Sequence, residues 1–218
     1  MPNRKTPAPA GKLDYKKAYP DLYLPKRTPA LIEVPSMNFL SIKGQGAPEG
    51  EAYQQAVQIL YTLSYTIKMS KLDRDHRIPG YIEYVVPPLE GLWGSVNEDF
   101  LPQRELWSWN SLIRQPDFVN EQVLCWACEQ AEKKHPGLDL SKVRLIRFTE
   151  GLCVQAMHQG PYAEERRTIA AIRAFITENG LVDRCGEDGL HHEIYLSDPR
   201  RTKEENLRTV LRHPVRRS

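Results

Sequence analysis

Regular alternation of apolar and polar positions begins near residue 35. Met37-Asn38-Phe39-Leu40-Ser41-Ile42 has strand composition and ends at the turn residues Gly44-Gln45-Gly46-Ala47-Pro48. From about Gly50 to Ser70 the period changes to that of a helix. Ala56, Leu60, Leu63 and Ile67 form one stripe, and Tyr53, Val57, Tyr61 and Tyr65 form a second, so a wide face is expected to be buried. Tyr81–Val86 predicts a strand stopped by Pro87-Pro88, and Glu105–Arg114 predicts the next. Asp117 is placed to cap the following helix, with Glu121 in its first turn and His135-Pro136-Gly137 at its end. Val143–Thr149 and Leu152–His158 read as a hairpin around Glu150-Gly151. Tyr162–Glu178 predicts a helix closed by Asn179-Gly180, entered tightly through Gly160-Pro161. His192–Leu196 reads as the last strand and Arg201–His213 as a short final helix.

The segment before this pattern is different. Residues 1–34 are proline-rich and carry no long period, so they are expected to form an extended lead-in to a domain spanning 35–218. Tyr19, Leu22, Tyr23 and Leu24 could dock it on the body. The order β-α-β-β, then α-β-β-α-β, suggests two small α+β halves with a cleft between them. A weak echo supports this: Leu40–Pro48 before one helix resembles Val154–Tyr162, with Met157 and His158 inside it, before another.

Composition narrows the function. The chain has 218 residues, 40% of them apolar, which is enough for one full core. It holds no apolar run of membrane-spanning length, and the N-terminal residues MPNRKTPAPAGKLDYKK show no signal-peptide core. The four cysteines read as free thiols in a reducing compartment, so a cytoplasmic location is expected. Net charge is +2, but residues 1–34 carry +4 and 199–218 carry +5, which leaves the body at −7. An acidic body argues against nucleic acid as a partner.

Three features carry chemistry. Trp107-Ser108-Trp109 would place two indoles on one strand face, continued by Ser111 and Ile113. With Trp93 and Tyr84 they offer a flat apolar wall for a ligand, although large aromatics also dominate ordinary cores. Glu193 sits within an apolar strand, and His191, Glu193 and Tyr195 share one of its faces. A carboxylate there is a candidate general base or acid, with Tyr195 orienting it or donating to a substrate oxygen; a solvated face or a salt bridge is the plainer reading. Tyr162, at a helix start, could line the same cleft.

No cofactor or metal is expected. His191 and His192 point to opposite faces, and Cys125-Trp126-Ala127-Cys128 lies in mid-helix without a second pair. Gly44-Gln45-Gly46 lacks the rest of a dinucleotide fingerprint.

Several motifs together resemble the GyrI-like small-molecule-binding proteins. They are Tyr84-Val85-Val86-Pro87-Pro88-Leu89-Glu90-Gly91-Leu92-Trp93, Ile113–Phe118, Glu150–Gln155, Gly160-Pro161-Tyr162 and His191–Pro199. The likeness covers about residues 12–216 and is nearest to a stand-alone bacterial branch linked to hydrolysis of cyclopropanoid genotoxins. It implies an α+β fold of duplicated βαββ halves with pseudo-two-fold symmetry. An antiparallel sheet would carry helices on one side and a central aromatic cleft. It implies a key glutamate at Glu193, assisted by Tyr195. The cleft would be lined by Tyr65, Tyr84, Trp93, Trp107 and Trp109, with Met157, His158, Tyr162 and His191. One departure is Gln159, where an apolar residue is expected. The absence of a DNA-binding region ahead of the domain argues against a transcription regulator.

The expected activity is detoxifying hydrolysis of a cyclopropane fused to a dienone. The alternatives are a module that sequesters planar or cationic drugs and a partner-binding protein like the gyrase-inhibitor relatives. The partner is thus a small planar aromatic or hydrophobic molecule, with no nucleic acid and no membrane; the sequence leaves the oligomeric state open.

Overall fold

The computed structural model describes residues 11–73, 76–94 and 104–218; the first ten residues of the lead-in lie outside them. Among the described residues nine strands are seen: β1 (Ala30–Val34), β2 (Met37–Gln45), β3 (Leu89–Trp93), β4 (Ser108–Gln115), β5 (Arg144–Phe148), β6 (Gly151–Gln159), β7 (Leu181–Asp183), β8 (His191–Tyr195) and β9 (Arg208–Arg217). Five α-helices accompany them: α1 (Tyr15–Ala18), α2 (Pro20–Tyr23), α3 (Glu51–Met69), α4 (Glu121–Lys134) and α5 (Glu165–Glu178). The sheet runs β1-β6-β9-β8-β3-β4-β2-β5, with β7 added to the far end of β9. All pairings between strands are antiparallel. With β1 matched to β5, β2 to β6, β3 to β8 and β4 to β9, the order reads the same from both ends.

Alternation along the strands builds two layers. On one face Leu40, Ile42 and Ile113 meet the Ala56, Leu60, Leu63 and Ile67 stripe of α3, which α4 backs through Val123, Leu124 and Ala127. Farther along that face, Val154, Ala156 and Leu211 meet Ile169, Ile172 and Ile176 of α5. Leu60, Leu63 and Ile67 are fully buried, and each such side chain contributes about 1.5–3 kcal/mol. Neither long helix covers the middle strands, β3 and β8, and there the cleft opens. The other face, with Phe39, Leu92, Leu112, Ile194 and Val210, is closed by Tyr15, Leu22 and Tyr23 from the N-terminal segment and by Tyr84. The lead-in is therefore structured. Its last five residues are β1, and two short helices cover the sheet on the side away from α3 and α5. No helix among the described residues is long and apolar enough to cross a membrane.

Five local expectations are corrected. Tyr81–Val86 is not a strand. It runs beside Leu13 through a single bridge at Tyr84, and the strand begins beyond the prolines at Leu89, where every residue can join the ladder. The second tyrosine stripe of α3 is only partly core: Tyr53 is buried and Val57 and Tyr61 pack against the core, but the row also borders the cleft and Tyr65 is half exposed. Asn120, not Asp117, caps α4 by accepting from the amide of Val123. Arg201–His213 is not a helix, because from Arg208 it alternates between two buried faces as β9; the buried charge of Arg212 hides that pattern in the sequence. Finally, β5 and β6 do not pair. β5 joins β2, and β6 joins β1 and β9, at opposite ends of the strand order.

The last of these has a physical cause. The Glu150 side chain is not at a solvated turn but buried, accepting from His192 Nδ1 at 3.0 Å and from Arg212 Nη1 at 3.1 Å. His192 Nε2 meets Glu90 at 3.0 Å, and Tyr23 donates to the same carboxylate. Arg212 also reaches Gln155 and the carbonyl of Leu22. Strands β3, β6, β8 and β9, the β5–β6 link and the N-terminal segment are thus joined by one buried polar network. Burial opposes the charge on His192, but Glu150 and Glu90 overcome it and raise its pKa from 6.5 to about 9. Burial likewise opposes the charge on Glu150, but His192 and Arg212 bring it from 4.5 down to about 2.

The sign of each contribution follows from linkage. The His192 contribution is complete below pH 6.5 and is lost as pH rises through about 9. The Glu150 contribution is complete above pH 4.5 and is lost as pH falls through about 2. The network therefore stabilises most between pH 4.5 and 6.5. Denaturant midpoints measured across pH should show the alkaline decline in the wild type and lose it in His192→Gln, whose stability should drop by about 3–5 kcal/mol at pH 6. An unchanged decline in the variant would refute this assignment.

Candidate functional site

The cleft begins with α3. Its second stripe, Tyr53, Val57, Tyr61 and Tyr65, forms one wall, and Tyr65 is half exposed. Trp93 of β3 and Glu193 and Tyr195 of β8 form the floor. Tyr162 and Glu165, at the entrance to α5, form the opposite wall, and Trp107 closes one end. The rings are ordered. Tyr53 stacks on Trp93 at 5.4 Å, Trp107 meets Trp93 edge-on at 6.0 Å, and Tyr162 meets Tyr195 edge-on at 6.1 Å. Gly91 permits this floor, since a Cβ there would lie 2.8 Å from Trp93 Nε1 and 3.2 Å from the Tyr195 hydroxyl.

Glu193 is 8% exposed. Tyr195 donates to its Oε2 at 2.6 Å, and Trp93 Nε1 in turn donates to Tyr195 Oη at 3.0 Å. His191 Nε2 lies 3.2 Å from its Oε1. The carboxyl is thereby gripped at both oxygens. Burial, then the charge of Glu193, pushes the Tyr195 phenol well above its ordinary range, so Tyr195 remains a protonated donor that orients Glu193. Burial also pushes Tyr53 and Tyr162 up to about 12, leaving two neutral phenols to meet a substrate oxygen.

A second carboxyl escaped the sequence reading. Glu165 is 5% exposed, lines the cleft, and its Oε1 has no hydrogen-bond partner. Burial, then the nearby Glu193, raises its pKa well above the ordinary 4.5, which favours the neutral acid. The sequence did contain a signal. Glu165 heads the stripe Ile169, Ile172, Ile176 on the buried face of α5, where a solvated acid does not belong. The cleft therefore pairs an acid with a candidate base, an arrangement suited to moving a proton between two ends of a bound molecule.

Other residues expected at the cleft lie elsewhere. Tyr84 is fully buried against Tyr81 and Phe118, with its hydroxyl on the carbonyl of Ser64. Trp109 does not share a wall with Trp107: β4 starts at Ser108, and Trp109 is buried behind Tyr53, edge-on at 5.2 Å. Met157 points to the far face of the sheet with Cys153 and Val210. His158 is buried between Thr168 and the carbonyl of Pro161, where it anchors the entry to α5. His191 lies behind Glu193 rather than in the cleft. Trp93, Trp107, Tyr65, Tyr162, Glu193 and Tyr195 do line it. The unusual Gln159 is exposed and bonded to Arg27, away from the cleft.

Asp183, Cys185 and His213 bring ligand-type atoms within 4.8 Å of one another. Asp183 Oδ2 and His213 Nδ1 are spent on each other at 2.8 Å, and Asp183 Oδ1 accepts from the Cys185 amide. Burial, then Asp183, pushes the Cys185 thiol far up, away from the thiolate a metal requires. The three form a hydrogen-bonded cluster.

This geometry can be set beside known proteins. The family model of the GyrI-like small molecule binding domain matches residues 27–216. The chain belongs to the GyrI-like family. A solved structure described as a hydrolase from Listeria innocua is 51% identical, aligns over 94% of this chain and all of its own, and superposes with a TM-score of 0.87. A second Listeria innocua structure, of an uncharacterized conserved protein, is 52% identical over the same shares, with a TM-score of 0.90. The C-terminal domain of EcmrR, 13% identical over 87% of this chain and 98% of its own, shares the fold with a TM-score of 0.52. No curated protein matches the chain. This GyrI-like domain thus binds small molecules in an α+β frame built on a large antiparallel sheet.

The raised pKa of Glu165 has a measurable cost. In the unfolded chain the carboxyl ionises near pH 4.5, so folding above that pH must take up a proton and loses stability as pH rises. Replacing Glu165 with Gln, which imitates the neutral acid, should raise Tm at neutral pH by about 2–4 °C per kcal/mol relieved and change it little in acid. Equal Tm at all pH values would show that Glu165 is ionised in the fold.

Proposed function

We propose that the protein is a hydrolase that adds water to a strained, flat electrophile, the cyclopropane ring of a cyclopropanoid DNA-alkylating genotoxin, as a detoxifying step. The observation that carries the reading is Glu193, buried in an aromatic cleft and held by Tyr195 at 2.6 Å, beside a neutral Glu165. The relatives described as hydrolases, about half identical along their full length, support hydrolysis as the class.

The steps follow from the positions of the groups. Tyr53, Tyr61, Trp93 and Trp107 flank a planar substrate and exclude bulk water. Glu193 takes a proton from water as the oxygen attacks a ring carbon. The carbon–carbon bond of the cyclopropane breaks, and its electron pair moves through the dienone to the carbonyl oxygen. That oxygen takes the proton of Glu165, aided by the phenols of Tyr53 and Tyr162, and becomes a phenol. A proton transfer from Glu193 to Glu165 restores the enzyme, so water has been added and nothing else consumed. The four cysteines are free thiols, which fits action in the cytoplasm.

A second reading is a module that sequesters planar cations without chemistry. Cations already rest on rings at the rim of the cleft, Arg104 over Trp107 at 5.1 Å and Lys68 over Tyr65 at 5.5 Å.

Following the dienone absorbance of a cyclopropanoid alkylator separates the two. Glu193→Gln should lower kcat by about 10²–10⁴-fold while tryptophan quenching reports affinity within about threefold of wild type. Equal turnover in the variant would remove Glu193 as the base, and tight binding without turnover in either protein would leave the sequestering module. Trp107→Ala should instead weaken binding by about 0.5–1.5 kcal/mol or more.

A further inference from the structure

Behind the cleft lies a line of three side chains that the proposed reaction leaves unused, Asp183, His213 and His191, and it ends on Glu193. Asp183 Oδ2 meets His213 Nδ1 at 2.8 Å, His213 Nε2 meets His191 Nδ1 at 3.0 Å, and His191 Nε2 meets Glu193 Oε1 at 3.2 Å. Both imidazoles are buried and cross at 88°. The line starts at the partly exposed Asp183 and ends in the cleft.

Counting protons along it gives a definite result. Each contact holds one proton, so three contacts require three. Two carboxylates contribute none, and two neutral imidazoles contribute two. One further proton must therefore be bound. Its place follows from the partners. Burial opposes the charge on Asp183, but its bond to His213 prevails and keeps it an acceptor, so His213 Nδ1 donates. Burial disfavours charge on His213, and His191 and Arg173 of α5 disfavour it further, so its Nε2 is bare and accepts. His191 Nδ1 then donates, which leaves His191 Nε2 opposite Glu193 with a single proton for both. The other titratable groups near Glu193 are Glu165 of α5, Tyr53 of α3, Tyr162 and Tyr195. Cys185 lies beside Asp183, and its amide completes the carboxylate's bonding.

We infer that Asp183 and His213 fix the tautomer of His191 so that His191 and Glu193 share one proton and act as a single acid–base unit. The inference rests on the reading of Glu193 as the base and deepens it. When Glu193 receives the proton of water on Oε2, the shared proton moves from Oε1 to His191 Nε2; the return of both restores the resting state, and no proton is gained or lost. His191, His213 and Asp183 are positioning residues in this scheme, since none touches the substrate.

The test uses protein labelled with ¹⁵N in histidine rings and ¹³C in glutamate carboxyls, followed by NMR across the neutral pH range. In the wild type His213 should carry its proton on Nδ1 alone, and His191 Nε2 and the Glu193 carboxyl should titrate together in one step. Asp183→Asn gives the chain the donor it lacks. Its amide can donate to His213 Nδ1, both rings should invert to the Nε2-protonated tautomer, and Glu193 should become an unshared carboxylate. In Glu193→Gln the shared step should vanish. Wild-type rings protonated on Nε2, separate titration of His191 and Glu193, or tautomers unmoved by Asp183→Asn would each overturn the inference. The wild-type spectrum decides by itself if a variant fails to fold. The readout is independent of turnover. The expected tautomers in a protein that hydrolyses nothing would remove the hydrolase and keep the shared proton, and the converse would remove the shared proton and keep the hydrolase.

Discussion

A histidine wedged between two buried carboxylates holds the centre of this sheet. His192 bridges Glu90 and Glu150, and Arg212 closes the group against Glu150. Charges taken out of water are tolerated only when every partner is in place. Satisfying this group draws in Tyr23 and the carbonyl of Leu22 from the N-terminal segment, Gln155 from β6 and the link after β5. It explains why the β5–β6 connection turns inward and crosses between the two ends of the strand order. It also explains how one short strand serves two purposes. His192 and Ile194 of β8 secure the lower face, which leaves His191, Glu193 and Tyr195 of the upper face free for chemistry.

The upper face uses similar groups to a different end. On the lower face Glu150 meets His192 and Arg212, which hold its carboxyl well below the usual carboxylate range. In the cleft Glu165 meets aromatic rings and another carboxyl, so it keeps its proton. The same residue type is thus driven to opposite states by surroundings a few strands apart. That contrast, more than the aromatic lining, sets this cleft apart from a plain hydrophobic slot. Relatives about half identical across nearly the whole chain, among them ones described as hydrolases, share its frame.

Much of the frame was legible in the sequence. Period-3.6 stripes gave α3, the Gly160-Pro161 entry and the Asn179-Gly180 close gave α5, and alternation gave β2 and β8 with Glu193 on the aromatic side. Several of the misreadings share one cause, which is polar residues buried by long-range partners. Arg212 and His213 made β9 look like a helix, and Glu150 made an interior crossing look like a solvent turn. Glu165 was not singled out, because its meaning depends on Glu193, nearly 30 residues away. Trp109 and Tyr84 show the reverse error. Large aromatics invite a ligand, but these two are spent on the core, while the tyrosine stripe assigned to the core borders the cleft as well. Local pattern reports which residues share a face and not what that face meets.

Helix α3 carries that division along its whole length. Leu60, Leu63 and Ile67 hold it to the sheet, while Tyr53, Val57, Tyr61 and Tyr65 look into the cleft. Adhesion and selectivity are therefore inscribed on separate rows of one cylinder, about a quarter-turn apart. Substitutions can rewrite the outer row letter by letter while the inner row keeps the architecture standing, and drift of this kind would let one scaffold accept different small molecules without first becoming more stable.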